Sequence, residues 1–302
     1  LHFNDNELQP QSTSRLFKIQ PLLNFFVQKF QTVYKPNQQL SLDESAIPWR
    51  GRLRMGTYNP GKLTKYGLLV CVVTESTSGY IGNFEIYSVK ERNYKKLFFP
   101  FWNPILIKNT MSIRTIIITV WQMQEHLFSR KVCVCGRIRV NRDLPPDLKE
   151  ECKSLKCGET TFRRKGDILL QSWRDTCVVN MISTIHISST VDVQRRHGHV
   201  KMPVCISEYN IVTCFDRADQ YLAYYSLPRK TVKWTKKVAL WLINCAIFNS
   251  ILVSKNLNPH SKLKYKAFLL NVAKAWATDH TVAADSLSTT GATYSHPTRA
   301  SF

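Results

Sequence analysis

The stretch LSLDESAIPWRGR, residues 40–52, decides how the fold of this chain is interpreted. It begins as a β-strand whose outward positions carry the acids Asp43 and Glu44, and arginines follow the strand closely. An acidic pair on a strand is more often a solvated edge than a metal site. The stretch alone therefore does not identify a catalytic centre.

The segments on either side of this strand add helices and further strands. Residues 15–34 repeat apolar positions at helical spacing. Residues 66–87 alternate apolar runs with a Ser/Thr/Gly turn, which predicts a β-hairpin or meander within an antiparallel sheet. From Glu208 onwards the pattern becomes helical.

The charge of the chain favours a polyanionic partner. Among 302 residues, 42 are Lys or Arg and 21 are Asp or Glu, which gives a formal net charge of +21. Nucleic acid is the first partner that such an excess indicates, and an anionic membrane surface is the second. A basic surface that serves only solubility is the alternative.

The cysteines and the apolar runs indicate a reduced protein without a membrane span. The nine cysteines form no CxxC pair, so their spacing supports neither a disulfide framework nor a zinc site. The most apolar window, residues 238–253, is 16 residues long, whereas a spanning helix needs roughly 20. We therefore expect a buried helix in this window.

A second acidic pair, Asp216 and Asp219, lies three residues apart in CFDRADQYLAYYSL. On a helix this spacing places both carboxylates on one face, one turn apart. Asp216 also lies near the expected helix N-terminus, where a carboxylate commonly serves as a cap. Capping is the simpler interpretation of the pair when it is considered alone.

Several long motifs occur in a fixed order along the chain. They are LSLDESAIPWRGR with the YNPGK and KYGL that follow it, VCGRIRVNRDLPPDLK, GETTFRRKGDILLQSWRDTCVVNMIST, and FDRADQYLAYYSLPRKTVKWTKKVALWLINCAIFNS. Together they resemble the piggyBac family of transposases and their domesticated derivatives. The resemblance covers residues 16–276 and is specific because several unrelated motifs agree.

This resemblance implies an α/β fold with an RNase H-like core that an insertion domain interrupts ahead of the final catalytic aspartate. Such transposases hold two divalent metals, with Mg²⁺ favoured by the oxygen ligands, and cut and join transposon-end DNA at TTAA sites. By position, Asp43 matches the first catalytic aspartate and Asp216 the last, so both are expected metal ligands. Asp219 matches an additional acid beside the site, and Trp234 falls on the family's Arg-Lys-x-x-x-Trp pattern.

The expected domain boundaries follow from the same resemblance. Each boundary is an expectation from the sequence: a truncated N-terminal helical segment at 1–36, the first part of the core at 37–140, the insertion domain at 141–206, the helical second part of the core at 207–275, and a disordered tail at 276–302.

One catalytic position departs from the family pattern. The family's second aspartate lies in a Tyr-x-Asp-Asn-x-Tyr-x-Ser motif, and the corresponding interval here contains SIRTIIITVW, residues 112–121, without an acid. Residues 109–120 can be encoded with synonymous codons that we chose. Translation of that DNA from its third base then gives His-Tyr-Val-Tyr-Gln-Asp-Asn-Tyr-Tyr-Asn-Ser. The Asp of that string overlaps Arg114 and Thr115. We therefore hypothesise a frame-shifted block over residues 97–124, although its β-branched residues still predict a strand.

Clusters of basic residues predict a surface that contacts phosphates. The expected DNA-binding residues are Arg50, Arg52, Arg54, Lys65, Arg139, Arg163, Arg164, Arg229, Lys230, Lys233 and Trp234. The HGH at 197–199 has metal-like spacing but no third ligand type nearby, so we expect a loop there.

The sequence thus predicts a piggyBac-derived, nuclear DNA-binding protein that is catalytically inactive, because Thr115 stands where the second aspartate should be. Mg²⁺ is expected in the ancestral enzyme and weak or absent here. The expected partner is DNA rather than a membrane, and homodimer formation is left open. One alternative is residual nuclease or transposase activity that recruits Glu44 or Glu125, and another is a relic without function.

Overall fold

The computed structural model describes residues 3–5, 15–62, 64–87, 111–115, 132–141, 144–195, 198–212, 215–227, 231 and 233–288. For residues 111–115, 132, 212, 215–217 and 279–288 it describes the backbone only. The chain divides into two compact units, Leu1–Val253 and Ser254–Phe302.

Helices and strands are both abundant, so the predicted α/β class is confirmed. A 3₁₀ helix at Arg15–Ile19 precedes the α-helices, which are α1 (Gln20–Val33), α2 (Pro146–Ser154), α3 (Val204–Val212), α4 (Phe215–Tyr224), α5 (Trp234–Leu257) and α6 (Tyr265–Ser288). The strands are β1 (Gln39–Pro48), β2 (Gly56–Tyr58), β3 (Tyr66–Glu75), β4 (Ile81–Ile86), β5 (Met111–Thr115), β6 (Val132–Arg137), β7 (Thr160–Lys165), β8 (Ile168–Arg174), β9 (Val178–Ser183), β10 (Thr190–Arg195) and β11 (Gly198–Pro203).

One large mixed sheet organises the first unit. Its strands run in the order β2-β3-β1-β5-β6-β9-β8-β7, and β4 also pairs with β3. The pairs β1–β5 and β5–β6 are parallel, whereas β3 pairs antiparallel with β1 and with β4. The predicted antiparallel meander around residues 66–87 is therefore confirmed.

Both faces of the sheet centre are covered, which explains the apolar character of its strands. The run GLLVCVV of β3 is almost continuously buried, as expected for a strand with packing on both sides. One cluster joins Leu42, Val73, Val134 and Ile182 from four strands to Leu148 of α2.

Helix α5 is the apolar helix expected at 238–253, and ten of its residues are buried. By length and composition alone it could cross a membrane, but 56% of its most apolar window is buried inside the protein. Its buried Asn249 accepts the backbone N–H of Ile81 and donates to the carbonyl of the same residue, both at 2.9 Å. The side chain thus satisfies one residue of β4 that would otherwise leave a backbone donor and acceptor buried.

A buried carboxylate fixes the corner between α1 and the sheet. Glu75, which is 1% exposed, accepts hydrogen bonds from the Tyr34 hydroxyl at 2.8 Å and from the Asn37 backbone N–H at 2.7 Å. It also accepts the hydroxyl of Ser78. Burial, together with the neighbouring Glu75, raises the pKa of Tyr34.

A buried histidine joins the end of β9 to α3. The Ser183 hydroxyl oxygen accepts the backbone N–H groups of Ile185 and His186 and lies 2.7 Å from His186 Nδ1. Because the two backbone N–H groups occupy both acceptor sites of the Ser183 oxygen, the Ser183 hydroxyl donates its proton to His186 Nδ1. The proton of the neutral imidazole ring is therefore on Nε2. Nε2 then donates to Glu208 Oε2 at 3.1 Å.

Two sequence expectations need correction. The HGH segment, expected in a loop, reaches into the antiparallel hairpin of β10 and β11, where His199 pairs with Gln194. The disordered tail expected from residue 276 overlaps α6, which continues to Ser288, so that expectation is wrong for residues 276–288. Within residues 141–206, strands β7, β8 and β9 extend the main sheet through the β6–β9 pair.

Candidate active site and basic groove

The first predicted catalytic residue, Asp43, lies in the middle of the sheet on β1. It is 5% exposed, so the expectation that both acids occupy outward positions is wrong for Asp43, whereas Glu44 is partly exposed. The strand β1 is an inner strand of the sheet, between β3 and β5. Its Oδ1 accepts the backbone N–H of Glu44 at 2.7 Å.

The position of the missing second acid lies on the neighbouring strand. Thr115 is the last residue of β5, and its backbone pairs with Leu42 in the parallel ladder, one residue before Asp43. Adjacent strands lie about 4.8 Å apart, so the backbone of β5 ends beside the part of β1 that carries Asp43. The strand expected from the β-branched sequence is present at residues 111–115. The remainder of the 97–124 block lies outside the described residues.

Helix α4 supplies the other acidic pair and packs against β1. Asp219 accepts the hydroxyl of Ser45 at 2.7 Å, which joins α4 to the strand that carries Asp43. Asp216 lies in the first turn of α4, one helical turn before Asp219, and only its backbone is described. The structure therefore brings α4 and β1 together, as a shared acidic site requires.

Lys62 lies beside Asp43, a contact that the sequence did not predict. The Lys62 Nζ atom is 3.9 Å from Asp43 Oδ1 and donates a hydrogen bond to the Glu44 carbonyl oxygen. The side chain is 26% exposed, whereas that of Asp43 is 4% exposed. In the sequence Lys62 ends the YNPGK motif, but the motif alone does not show which acid the lysine contacts.

Opposing effects set the acidity of Glu44. Burial raises the pKa of Glu44, and the charges of Lys62 and Arg139 act in the opposite direction. Arg139, a predicted DNA-binding residue, is thus placed near the candidate site. Burial, followed by the charge of Glu44, raises the pKa of the adjacent Cys71 thiol to about 12.

The described side chains do not form a two-metal centre. No group of three or more His, Cys, Asp or Glu side chains within the described ranges could hold a metal ion. Thr115 supplies no negative charge at the end of β5, and an ammonium group already faces Asp43. Two divalent cations need several anionic oxygen ligands from different elements, and the described donor set falls short of that number.

Four of the predicted DNA-binding residues meet in a groove of about 1200 Å³, which we call the basic groove. Its lining residues are Arg15, Pro48, Trp49, Arg50, Gly51, Arg52, Leu53, Thr64, Lys65, Tyr66, Thr231, Trp234 and Lys237. Arg15 and Lys237 add two cations that are far from the others in sequence. Partial burial lowers the pKa of Lys237.

Aromatic side chains form part of the groove wall. The Arg50 guanidinium lies 5.5 Å from the centre of the Tyr66 ring, in a cation–π arrangement that holds its charge at the groove. The absence of a side chain at Gly51 admits the indole of Trp49, since a Cβ there would lie 2.3 Å from the Trp49 ring. Cations and exposed ring faces together are typical of a surface that binds a nucleic-acid strand.

The other predicted DNA-binding residues lie elsewhere or outside the described chain. Arg54 and Lys233 are exposed, and neither lines the groove. Arg164 is exposed on β7 and donates to the Gly166 carbonyl. Arg163 forms ion pairs with Asp147 and Glu151, which raise its pKa. Arg229 and Lys230 lie outside the described residues.

Comparison with known proteins identifies the family of this chain. The family model described as transposase IS4 matches residues 1–251. The human PiggyBac transposable element-derived protein 2 is 22% identical over 273 residues, which cover 83% of this chain and 46% of that protein. A cryo-EM structure of the piggyBac transposase synaptic complex with hairpin DNA matches with a TM-score of 0.77 and 21% identity, over 90% of this chain and 59% of that one. The chain thus spans about half the length of these relatives. It belongs to the transposase IS4 family, as a piggyBac-type member.

Proposed function

We propose that this chain is a DNA-binding protein that derives from a piggyBac transposase and has lost strand-transfer activity. The observation that carries the proposal is the basic groove, which gathers five cationic side chains and three aromatic rings from distant parts of the sequence. A run of charged residues on a solvated surface would not bring side chains from distant parts of the sequence together. The relative that was solved in complex with hairpin DNA supports DNA as the class of ligand.

The strand order supports an RNase H-like core within the fold. The five strands β4-β3-β1-β5-β6 place a three-stranded antiparallel meander beside two strands that run parallel to β1. If β2 is omitted and β1, β3, β4, β5 and β6 are renumbered 1 to 5 in chain order, their spatial order is 3-2-1-4-5. This is the strand order of an RNase H-like core. We assign the core to 37–140 and 207–275, the intervening 141–206 to the insertion, and 1–36 to the preceding helical segment.

Loss of catalysis follows from the position of Thr115. Family membership implies that the ancestral enzyme used divalent metals, which two aspartates on adjacent parallel strands and one on a following helix would hold. The proposed ligands are Asp43 and Asp216, with Asp219 beside them. Without the acid at the end of β5, the ligand set on the sheet is incomplete, so the scissile phosphate would not be held correctly.

Two measurements test the proposal. Fluorescence anisotropy with a labelled TTAA-flanked duplex should show binding that weakens steeply with salt, and a plasmid-nicking assay with Mg²⁺ should show no cleavage above background. Absence of salt-sensitive binding would leave only a folded relic. Nicking that disappears in Asp43→Asn would instead establish a residual nuclease, for which Glu44 is the nearest described acid and Glu125 lies outside the described residues.

The reading frame of the coding DNA tests the history of the site. If residues 97–124 arose between two compensating insertions or deletions, the shifted frame should encode an Asp-Asn pair over Arg114 and Thr115. A shifted frame without that motif would refute the frame-shift hypothesis. Nuclear localisation and homodimer formation are further parts of the proposal, and imaging and sedimentation of the full-length protein test them.

A further inference from the structure

Lys237 places a partly buried amine in the basic groove. It lies in the first turn of α5, where its backbone N–H donates to the Lys233 carbonyl. Trp234 precedes it by three residues, a spacing that puts both side chains on one side of the helix. Both side chains line the groove, so an indole and a lysine amine are presented to the same ligand.

The surroundings of Lys237 favour the neutral form of its amine. Burial lowers the pKa of Lys237. The start of a helix carries a partial positive charge, which disfavours an ammonium group nearby. The described lining of the groove contains no acid, and within the described chain Lys237 forms no ion pair. A neutral lysine amine is a nucleophile that forms imines with carbonyl compounds.

The groove restricts the carbonyl compounds that can reach this amine. Its four other cations are Arg15, Arg50, Arg52 and Lys65. Guanidinium groups bind phosphate oxygens in pairs, and a volume of about 1200 Å³ accommodates a segment of a phosphate-linked strand. Such a strand carries an aldehyde where a base has been lost, because the deoxyribose at that position opens to its aldehyde form. The chemistry of the groove thus matches DNA with an abasic site.

We propose that Lys237 captures abasic sites in DNA as an imine. The inference rests on the proposed DNA binding and adds a covalent activity to it. The neutral Nζ attacks the C1′ aldehyde carbon, the amine gives up two protons, and the carbonyl oxygen leaves with them as water. The imine acidifies the C2′ proton, so that loss of this proton to water expels the 3′ phosphate and breaks the strand. Hydrolysis of the imine then returns the amine.

Reductive trapping tests the assignment, because cyanoborohydride converts an imine into a stable secondary amine. The full chain is incubated with cyanoborohydride, EDTA and a labelled duplex that contains one abasic site. A covalent complex should survive denaturing electrophoresis, and peptide mass spectrometry should place the adduct on Lys237. The same duplex with its abasic aldehyde reduced beforehand should give no complex.

A matched pair of variants separates Lys237 from the other lysines of this basic chain. Lys237→Arg should lose the trapped complex, since arginine keeps the charge without a nucleophilic amine. Lys236→Arg changes the neighbouring lysine of the same helical turn, which does not line the groove, and should trap as the unmodified chain does. Trapping is compared at protein concentrations that saturate the duplex in fluorescence anisotropy, so that a change in affinity does not enter.

Three results would overturn the inference. The first is equal trapping by Lys237→Arg and the unmodified chain, and the second is an adduct that maps to other lysines. The third is binding of the abasic duplex without trapping, which leaves the proposed DNA binding intact. Absence of binding would overturn both proposals together.

Discussion

Replacing both Arg50 and Arg52 by glutamine is expected to weaken DNA binding and to flatten its dependence on salt. Both side chains line the basic groove and are exposed, so their removal should leave the fold intact. Glutamine keeps a polar side chain of intermediate length and removes the charge. The change therefore tests the electrostatic contribution of the groove rather than its shape.

The magnitude follows from the number of cations in the groove. Each phosphate contact contributes about 0.9 to the slope of log affinity against log salt concentration, so five cations give a slope of about −4.5. Between 50 and 200 mM salt, the affinity should then fall roughly 500-fold. With two cations removed the slope becomes about −2.7, and the same salt change should cost roughly 40-fold.

Fluorescence anisotropy with a labelled duplex at several salt concentrations measures these slopes directly. The matched control is Lys153→Gln/Lys156→Gln, which removes the same charge from exposed positions on and after α2. The control should keep the slope of the unmodified chain. An unchanged slope in Arg50→Gln/Arg52→Gln, or an equal loss in the control, would refute the assignment of the groove as the phosphate-binding surface.

Three further outcomes concern the stability and reactivity of the fold. Glu75→Ala should lower the free energy of unfolding by about 2–4 kcal/mol in urea titrations, because three donors lose their shared acceptor; an unchanged midpoint would contradict this. His186→Phe should cost about 1–3 kcal/mol, whereas the exposed His199→Phe should cost little, and equal effects would argue against the buried network. Because the pKa of Cys71 is raised to about 12, its thiol should stay protonated and resist iodoacetamide at pH 9 while the exposed Cys157 reacts. Rapid labelling of native Cys71 in peptide mass spectrometry would contradict its burial.

The same buried thiol contributes to the dependence of folding stability on alkaline pH. In the unfolded chain Cys71 loses its proton near its ordinary pKa, whereas in the folded chain it keeps the proton until about pH 12. The folded state therefore binds the proton more tightly, and this contribution to stability is fully present below the unfolded pKa. It is lost as the pH rises from about 9 to about 12.

Local pattern was sufficient for the elements that form long apolar runs. The meander of β3 and β4 was predictable because a Ser/Thr/Gly turn separates two apolar runs, and the buried helix α5 because its apolar window is long for a strand and short for a membrane span. Residues 276–288 were not, because Ala and Thr residues bury little yet do not prevent a helix. The hairpin at 190–203 was missed because its charged residues conceal the alternation.

The candidate site was only partly predictable, since its contacts join distant residues. Motif resemblance identified Asp43 and Asp219, but it gave no indication that Lys62 would lie beside Asp43 or that Ser45 would donate to Asp219. The basic groove likewise combines Arg15 with Arg50 and Lys237, which are separated by most of the chain. Such groupings are set by the tertiary fold, and a one-dimensional count of charges does not reveal them.

Catalysis and DNA binding differ in how they tolerate substitutions, and this difference supports the proposal that the first is lost while the second persists. Two-metal catalysis depends on a few carboxylates that act together, so a neutral residue in place of one of them would be enough to end it. Phosphate binding is a sum of many similar contributions, and a chain with a net charge of +21 can lose several before affinity disappears.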